Sequence, residues 1–154
     1  MAVSAESVKS FLESVSLINS VSKDKLSRSL FLYERATKTT SVLTGMPGGG
    51  NADHEAVLAN LADAKDDTKK WSSFAQENRK LVIQFLKDAE IDGYYRDLLF
   101  QRYVVGSGWN LILMMFRDGR ELSERKLYYD HNKALQACAD WVNKTGKYKE
   151  VIEK

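Results

Sequence analysis

One cysteine and one proline are all this chain of 154 residues has of each, with only two histidines beside them. The lone Cys138 excludes an intramolecular disulfide, and no set of zinc ligands accompanies it. Set in a helical apolar stripe, it reads as a small core residue. His54 and His131 fall in different expected elements, and neither has a carboxylate or thiol at ligand spacing. Each reads as a plain surface or interface side chain, and no metal or cofactor is expected. Long apolar runs are missing too. Nothing approaches the ~18 apolar residues of a membrane span, and no basic-then-apolar leader begins the chain. The expectation is a soluble, cytoplasmic protein with no membrane partner.

Neither sign of charge dominates. Lys and Arg number 23 against 21 Asp and Glu, a net of +2, and Arg120–Lys154 holds eight basic residues against six acidic ones. A chain gripping nucleic acid by charge alone would show a larger excess, so composition permits such binding without demanding it. An enzyme is not expected. No two carboxylates are marked as a catalytic pair. The run GMPGGG at 45–50 lacks the following Lys-Ser/Thr of a phosphate loop, and no strand is expected before it.

What is present is mostly helix. The single proline, Pro47, sits among Gly45, Gly48, Gly49 and Gly50, so one cluster of breakers in the first ninety residues implies two long helices and one connection. In the second, Val57, Leu61, Ala64, Thr68, Trp71, Ala75, Asn78, Val82 and Phe85 advance by fours and threes, the seam period of a coiled coil, with Asp53 available as cap. Asn78 on that seam either fixes register or lies at a wet edge. In the first, Val8, Phe11, Val15 and Ile18 hold the seam, and Leu26, Leu30 and Tyr33 resume it one residue out of phase. Either the coil unwinds locally through Ser22, or the helix breaks near Val21–Lys25. The two helices are expected to pack antiparallel. The expected fold is all-α: a long helical hairpin (residues 1–90), then a helix-turn-helix-like bundle (91–154).

In the second part, Asp92-Gly93 marks a turn, and Tyr94–Val104 reads as a shorter helix offering Leu98, Leu99, Tyr103 and Val104 to a core. Trp109–Phe116 is almost wholly apolar. It reads as a buried helix, since Leu, Met and Asn are not strand formers, with a strand as the alternative. Arg117–Glu121 is a loop. Ser123–Val142 is the last strong helix, ended by Gly146.

That last helix carries the functional expectation. Ser123 is placed to cap it, Leu127, Ala134 and Leu135 face inward, and its early polar side chains face out. In a helix-turn-helix the second helix enters the major groove by its N-terminal residues. Arg suits guanine, Asn suits adenine, and Lys and Tyr suit phosphate oxygens. The candidate DNA-contacting residues are Ser123, Glu124, Arg125, Lys126, Tyr129, Asn132 and Lys133. An ordinary amphipathic helix with a solvated charged face has the same pattern.

The order of these pieces resembles a known family. Thr44–Gly50 (TGMPGGG), Leu99–Tyr103 (LFQRY), Gly108-Trp109, and Ser123–Leu135 with its H-x-x-A-L ending are similar to the phage-encoded ArpU/RinA-type transcriptional regulators and a related phage family. The C-terminal domain of that related family is like sigma-factor region 4. The likeness runs from about Val8 to Trp141. It implies a helical phage protein that binds promoter DNA in the bacterial cytoplasm and activates late genes. By analogy, Glu124, Arg125, Lys126 and Tyr129 would face the groove. The chain departs from the family after Trp109, where NLILMMFRDGRELS is longer and more apolar than the usual polar helix. The expected partners are double-stranded DNA and, through the hairpin, a second copy or host RNA polymerase. Two alternatives are a helical adaptor or inhibitor of a host protein and a small terminase-like DNA-recognition subunit.

Overall fold

The computed structural model describes residues 2–43, 51–117 and 121–154. The Gly-rich connection at 44–50 and the side chains of Asp53 and His54 lie outside what is described. Among the described residues there is no strand. Helix α1 spans Ala5–Leu43 and α2 Asn51–Asp88. Helix α3, Gly93–Leu99, continues as a wider π-helical stretch over Phe100–Val105. Helices α4 (Trp109–Phe116), α5 (Glu124–Thr145) and α6 (Lys149–Glu153) follow. No described helix is long and apolar enough to cross a membrane.

The chain divides into two compact units, residues 1–17 with 77–154 and residues 18–76. In the first unit, Val8, Phe11, Leu12 and Val15 of α1 and Val82, Phe85 and Leu86 of α2 are buried with Ala134, Leu135, Cys138 and Val142 of α5. Phe85 is wholly buried and meets Phe11, Trp141 and Tyr148 edge to face, with ring centroids 5.4, 6.0 and 5.3 Å away. Each such aromatic contact adds to the area its rings bury. Ends are tied by side chains. Asn143 accepts from the Val3 amide at 2.7 Å and donates back to its carbonyl at 2.9 Å. Arg96 donates to the carbonyls of Leu86 and Ala89, both at 2.9 Å, filling acceptors left open where α2 ends. Asn78 Nδ2 donates to Ser14 Oγ at 3.0 Å, so this seam amide pairs across to α1 and fixes register.

In the second unit α1 and α2 run antiparallel. Lys25 pairs with Asp67 at 2.8 Å, its carbonyl accepts from the Thr68 hydroxyl at 3.0 Å, and Leu32 packs with Val57, Leu61 and Ala64. The α2 seam follows the sequence pattern. The α1 seam does not shift as the sequence suggested, nor does the helix break near Val21–Lys25. Its three-four alternation continues from Val15 through Ile18, Ser22, Lys25 and Ser29 to Leu32, all buried or half-buried. Leu26, Leu30 and Tyr33 are instead exposed, at 50%, 57% and 54%. A continuous helix keeps the phase set by its buried N-terminal residues, whatever side chains that phase brings inward. Lys25 tolerates the position because its stem packs while its ammonium reaches Asp67.

Candidate nucleic-acid interface

Helix α5 begins as its sequence requires. Ser123 has extended backbone angles, and its hydroxyl accepts from the Lys126 amide at 3.1 Å while its carbonyl accepts from Leu127 at 3.0 Å. Helix geometry leaves the amides of Glu124 and Arg125 directed out of the helix end, where an anion is favoured. Four residues in, Leu127 is fully buried against Leu98, Ile112 and Leu122, which joins α3, α4 and α5 in one small core. Removing that anchor would free the start of α5.

The candidate side chains do not form one uniform patch. Arg125, Tyr129 and Asn132 follow each other by steps of four and three, so they share the outermost row of α5, and all are exposed. Arg125 has no partner among the described residues. Lys133 flanks the row with its ammonium 4.8 Å from the Tyr129 ring centre, a cation–π contact that holds both side chains along the helix. Lys126, on the same flank, pairs with Asp130 at 3.5 Å and stays 58% exposed. Glu124 lies on the opposite flank, where its carboxylate accepts from the Tyr128 hydroxyl at 3.2 Å. The one acid among the candidates is thus off the outer row and already engaged.

Beneath this surface lies a layer the sequence reading left unassigned. Asp130 is 6% exposed and accepts from the Tyr94 hydroxyl at 3.0 Å, which orients it for Lys126. His131 is 5% exposed, not the surface or interface residue expected. Its Nε2 shares a 2.7 Å hydrogen bond with the Tyr103 hydroxyl, and the Trp109 ring stands edge-on at 4.9 Å. Burial pushes the His131 pKa down to about 4, with Lys9 and Arg102 acting in the same direction, so its ring is neutral near pH 7. Burial likewise pushes the Tyr103 hydroxyl up to about 12, and it remains protonated. The Arg102 guanidinium lies 4.5 Å from the centre of the Trp109 ring, a cation–π contact. Tyr103 of the LFQRY run and the nearby Trp109 therefore both meet His131, much further along the chain, and brace α5. The signal available was the adjacent Arg102-Tyr103 pair. Its two contacts could not be assigned before the π-helical turn was known.

Helix α4 has the residue bounds read from the sequence, but it is not the buried helix expected. Only Ile112 is fully enclosed, while Leu111, Met114 and Met115 are 51%, 73% and 46% exposed. Their three- and four-residue spacing gathers them on one side. Seven residues separate Phe116 at the end of α4 from Glu124 at the start of α5, 118–120 among them lying outside what is described, against about three to four in the standard motif. Among the described residues no three His, Cys, Asp or Glu side chains cluster as a metal site. No protein-family model, no curated protein and no solved structure matches this chain.

Proposed function

We propose that this is a phage-type transcriptional regulator that binds double-stranded DNA through the N-terminal half of α5. The observation that carries the reading is the Arg125–Tyr129–Asn132 row: exposed, opened by a capped helix end, and held from below by Leu127 and His131. Such a row gives a major groove one guanine-type donor fork, one amide and a phosphate-length phenol. Lys126 and Lys133 flank it at phosphate height, and the outward amides of Glu124 and Arg125 suit a backbone phosphate. The mild net charge of +2 fits selective contact better than charge-driven coating. In this reading the long helices serve dimerisation or docking on host RNA polymerase, and the protein works in the bacterial cytoplasm.

Fluorescence anisotropy with fragments of a phage genome encoding the protein tests this, with unrelated DNA as competitor. A preferred fragment, lost in the Arg125→Ala/Lys126→Ala variant, supports the reading. Equal, competitor-sensitive binding to every fragment refutes it.

A second reading is favoured by one observation. The exposed Leu111–Met114–Met115 side of α4 is the kind of apolar surface that protein partners cover. The protein would then be a helical adaptor or inhibitor of a host protein. Association that survives Arg125→Ala/Lys126→Ala and is lost in Leu111→Ser/Met114→Ser would select it.

A further inference from the structure

The long helices of residues 18–76 place their apolar residues where a lone hairpin has no use for them. The row of α1 facing α2 holds Ser22, Lys25 and Ser29 before it reaches Leu32. Among the described residues the buried apolar cluster of this unit holds Leu32, Val57, Leu61 and Ala64, each still 8–9% exposed. The neighbouring row of α1, by contrast, carries Leu26, Leu30 and Tyr33, spaced by four and three and half open to solvent. The Lys65 ammonium lies 5.7 Å from the Tyr33 ring centre, which fixes the side of α2 that adjoins this row. Leu58, two turns before Lys65 and 45% exposed, is on that same side. Leu26, Leu30, Tyr33 and Leu58 thus form one apolar face.

The opposite side of the unit differs. There Lys25 and Asp67 form their ion pair, beside Arg28, Asn60 and Asp63, in a polar groove. Phe31 is also exposed, but its neighbours at three and four residues are Ser27, Arg28, Glu34 and Arg35, so it extends no stripe.

We infer that the Leu26–Leu30–Tyr33–Leu58 face is covered by a second copy of this chain, giving a two-fold, four-helix interface. Two arguments choose the occupant. The first is charge. On α2 the row adjoining this face reads Glu55, Leu58, Ala62, Lys65, Lys69, acidic at one end, basic at the other and small in the middle. A two-fold axis near Ala62 and Leu30 pairs each residue of the row with its mirror position. It sets Glu55 of each copy against Lys69 of the other and leaves Ala62 where the helices approach most closely. The second is area. The fifteen residues from Glu55 to Lys69 and the stretch of α1 beside them, at 1.5 Å per residue and about 10 Å of width for each helix, present roughly 450 Å² per copy. The total of about 900 Å² exceeds most incidental contacts and falls in the range of weak, concentration-dependent interfaces.

This inference deepens the dimerisation role proposed for the hairpin and rests on that reading only for its purpose. Its test involves no DNA, so the two can fail separately. Sedimentation velocity on the full chain, from nanomolar to high micromolar concentration, should approach twice the chain mass of 17.5 kDa as concentration rises. Leu26→Glu/Leu30→Glu should sediment as monomer with unchanged helical circular dichroism. Glu55→Lys and Lys69→Glu should each weaken the dimer, roughly tenfold from two symmetric surface pairs turned repulsive, and the double reversal should restore it. Leu30→Cys, close to the axis, should form a disulfide-linked dimer on mild oxidation, whereas Phe31→Cys should not. Cys138 will not compete, being buried with its thiol pushed up to about 12. A monomer at every concentration overturns the inference. So does a dimer indifferent to the glutamate substitutions and to the charge reversal.

Discussion

Lowering the pH from about 7 to about 5 should destabilise the protein through His131. The ring is 5% exposed, hydrogen-bonded to Tyr103 and faced by Trp109, with Arg102 stacked on the latter. No carboxylate is among the groups that shift it. Lys9 and Arg102 both oppose its protonation, and Asn132 alone favours it. Its pKa is about 4 in the folded chain against an ordinary 6.5. Between those values the unfolded chain binds the extra proton, so stability is complete above about pH 6.5 and is lost as pH falls toward 4. The full difference is worth about 3 kcal/mol, of which about 2 kcal/mol is already gone at pH 5. Urea denaturation of wild type and His131→Gln at both pH values reads this directly. Gln keeps a polar partner for Tyr103 but does not titrate. The variant should therefore lose about 2 kcal/mol less than wild type on acidification. Identical losses in the two proteins would refute the argument that His131 is held neutral by burial.

Other substitutions separate the support of α5 from its surface. Ser123→Ala removes the hydroxyl that accepts from Lys126 and should cost about 1 kcal/mol by urea denaturation, with helix content nearly unchanged. Leu127→Ala empties the centre of the Leu98–Ile112–Leu122 cluster and should cost about 2–5 kcal/mol. A loss comparable to that of Ser123→Ala would mean α5 is not anchored there. Leu111→Ser/Met114→Ser changes only exposed side chains and should shift stability by no more than about 0.5 kcal/mol. Gly146→Ala should destabilise by about 1 kcal/mol, because the residue ends α5 at φ 72°, where a Cβ is strained.

The sequence was a good guide where one pattern had one physical meaning. The α2 seam from Val57 to Phe85 is buried or half-buried throughout, because its apolar residues form a single stripe. Ser123 and Gly146 cap α5 because a hydroxyl acceptor and a residue free to take positive φ are what those positions need. It misleads where an apolar residue is not an inward one. On α1 two rows compete after Ile18, and the phase of a continuous helix selected the more polar row. On α4 the run Trp109–Phe116 reads as core by composition, yet a helix of eight residues touching one layer can enclose only one side of itself. His131 was misjudged for another reason. Its partners Tyr103 and Trp109 lie on other elements, and local spacing says nothing about side chains that tertiary packing brings together. Helix α6 gave no warning because its five residues bury only Ile152.

The proposal that α5 reads DNA is tested most directly by the salt dependence of binding, in wild type and in Arg125→Ala/Lys126→Ala. If Lys126 meets a phosphate and Arg125 a base edge, the plot of log affinity against log salt should be shallower in the variant by about one. Preference for a single fragment should weaken with it. An unchanged slope, with binding retained, would contradict the account and remove the start of α5 from the interface.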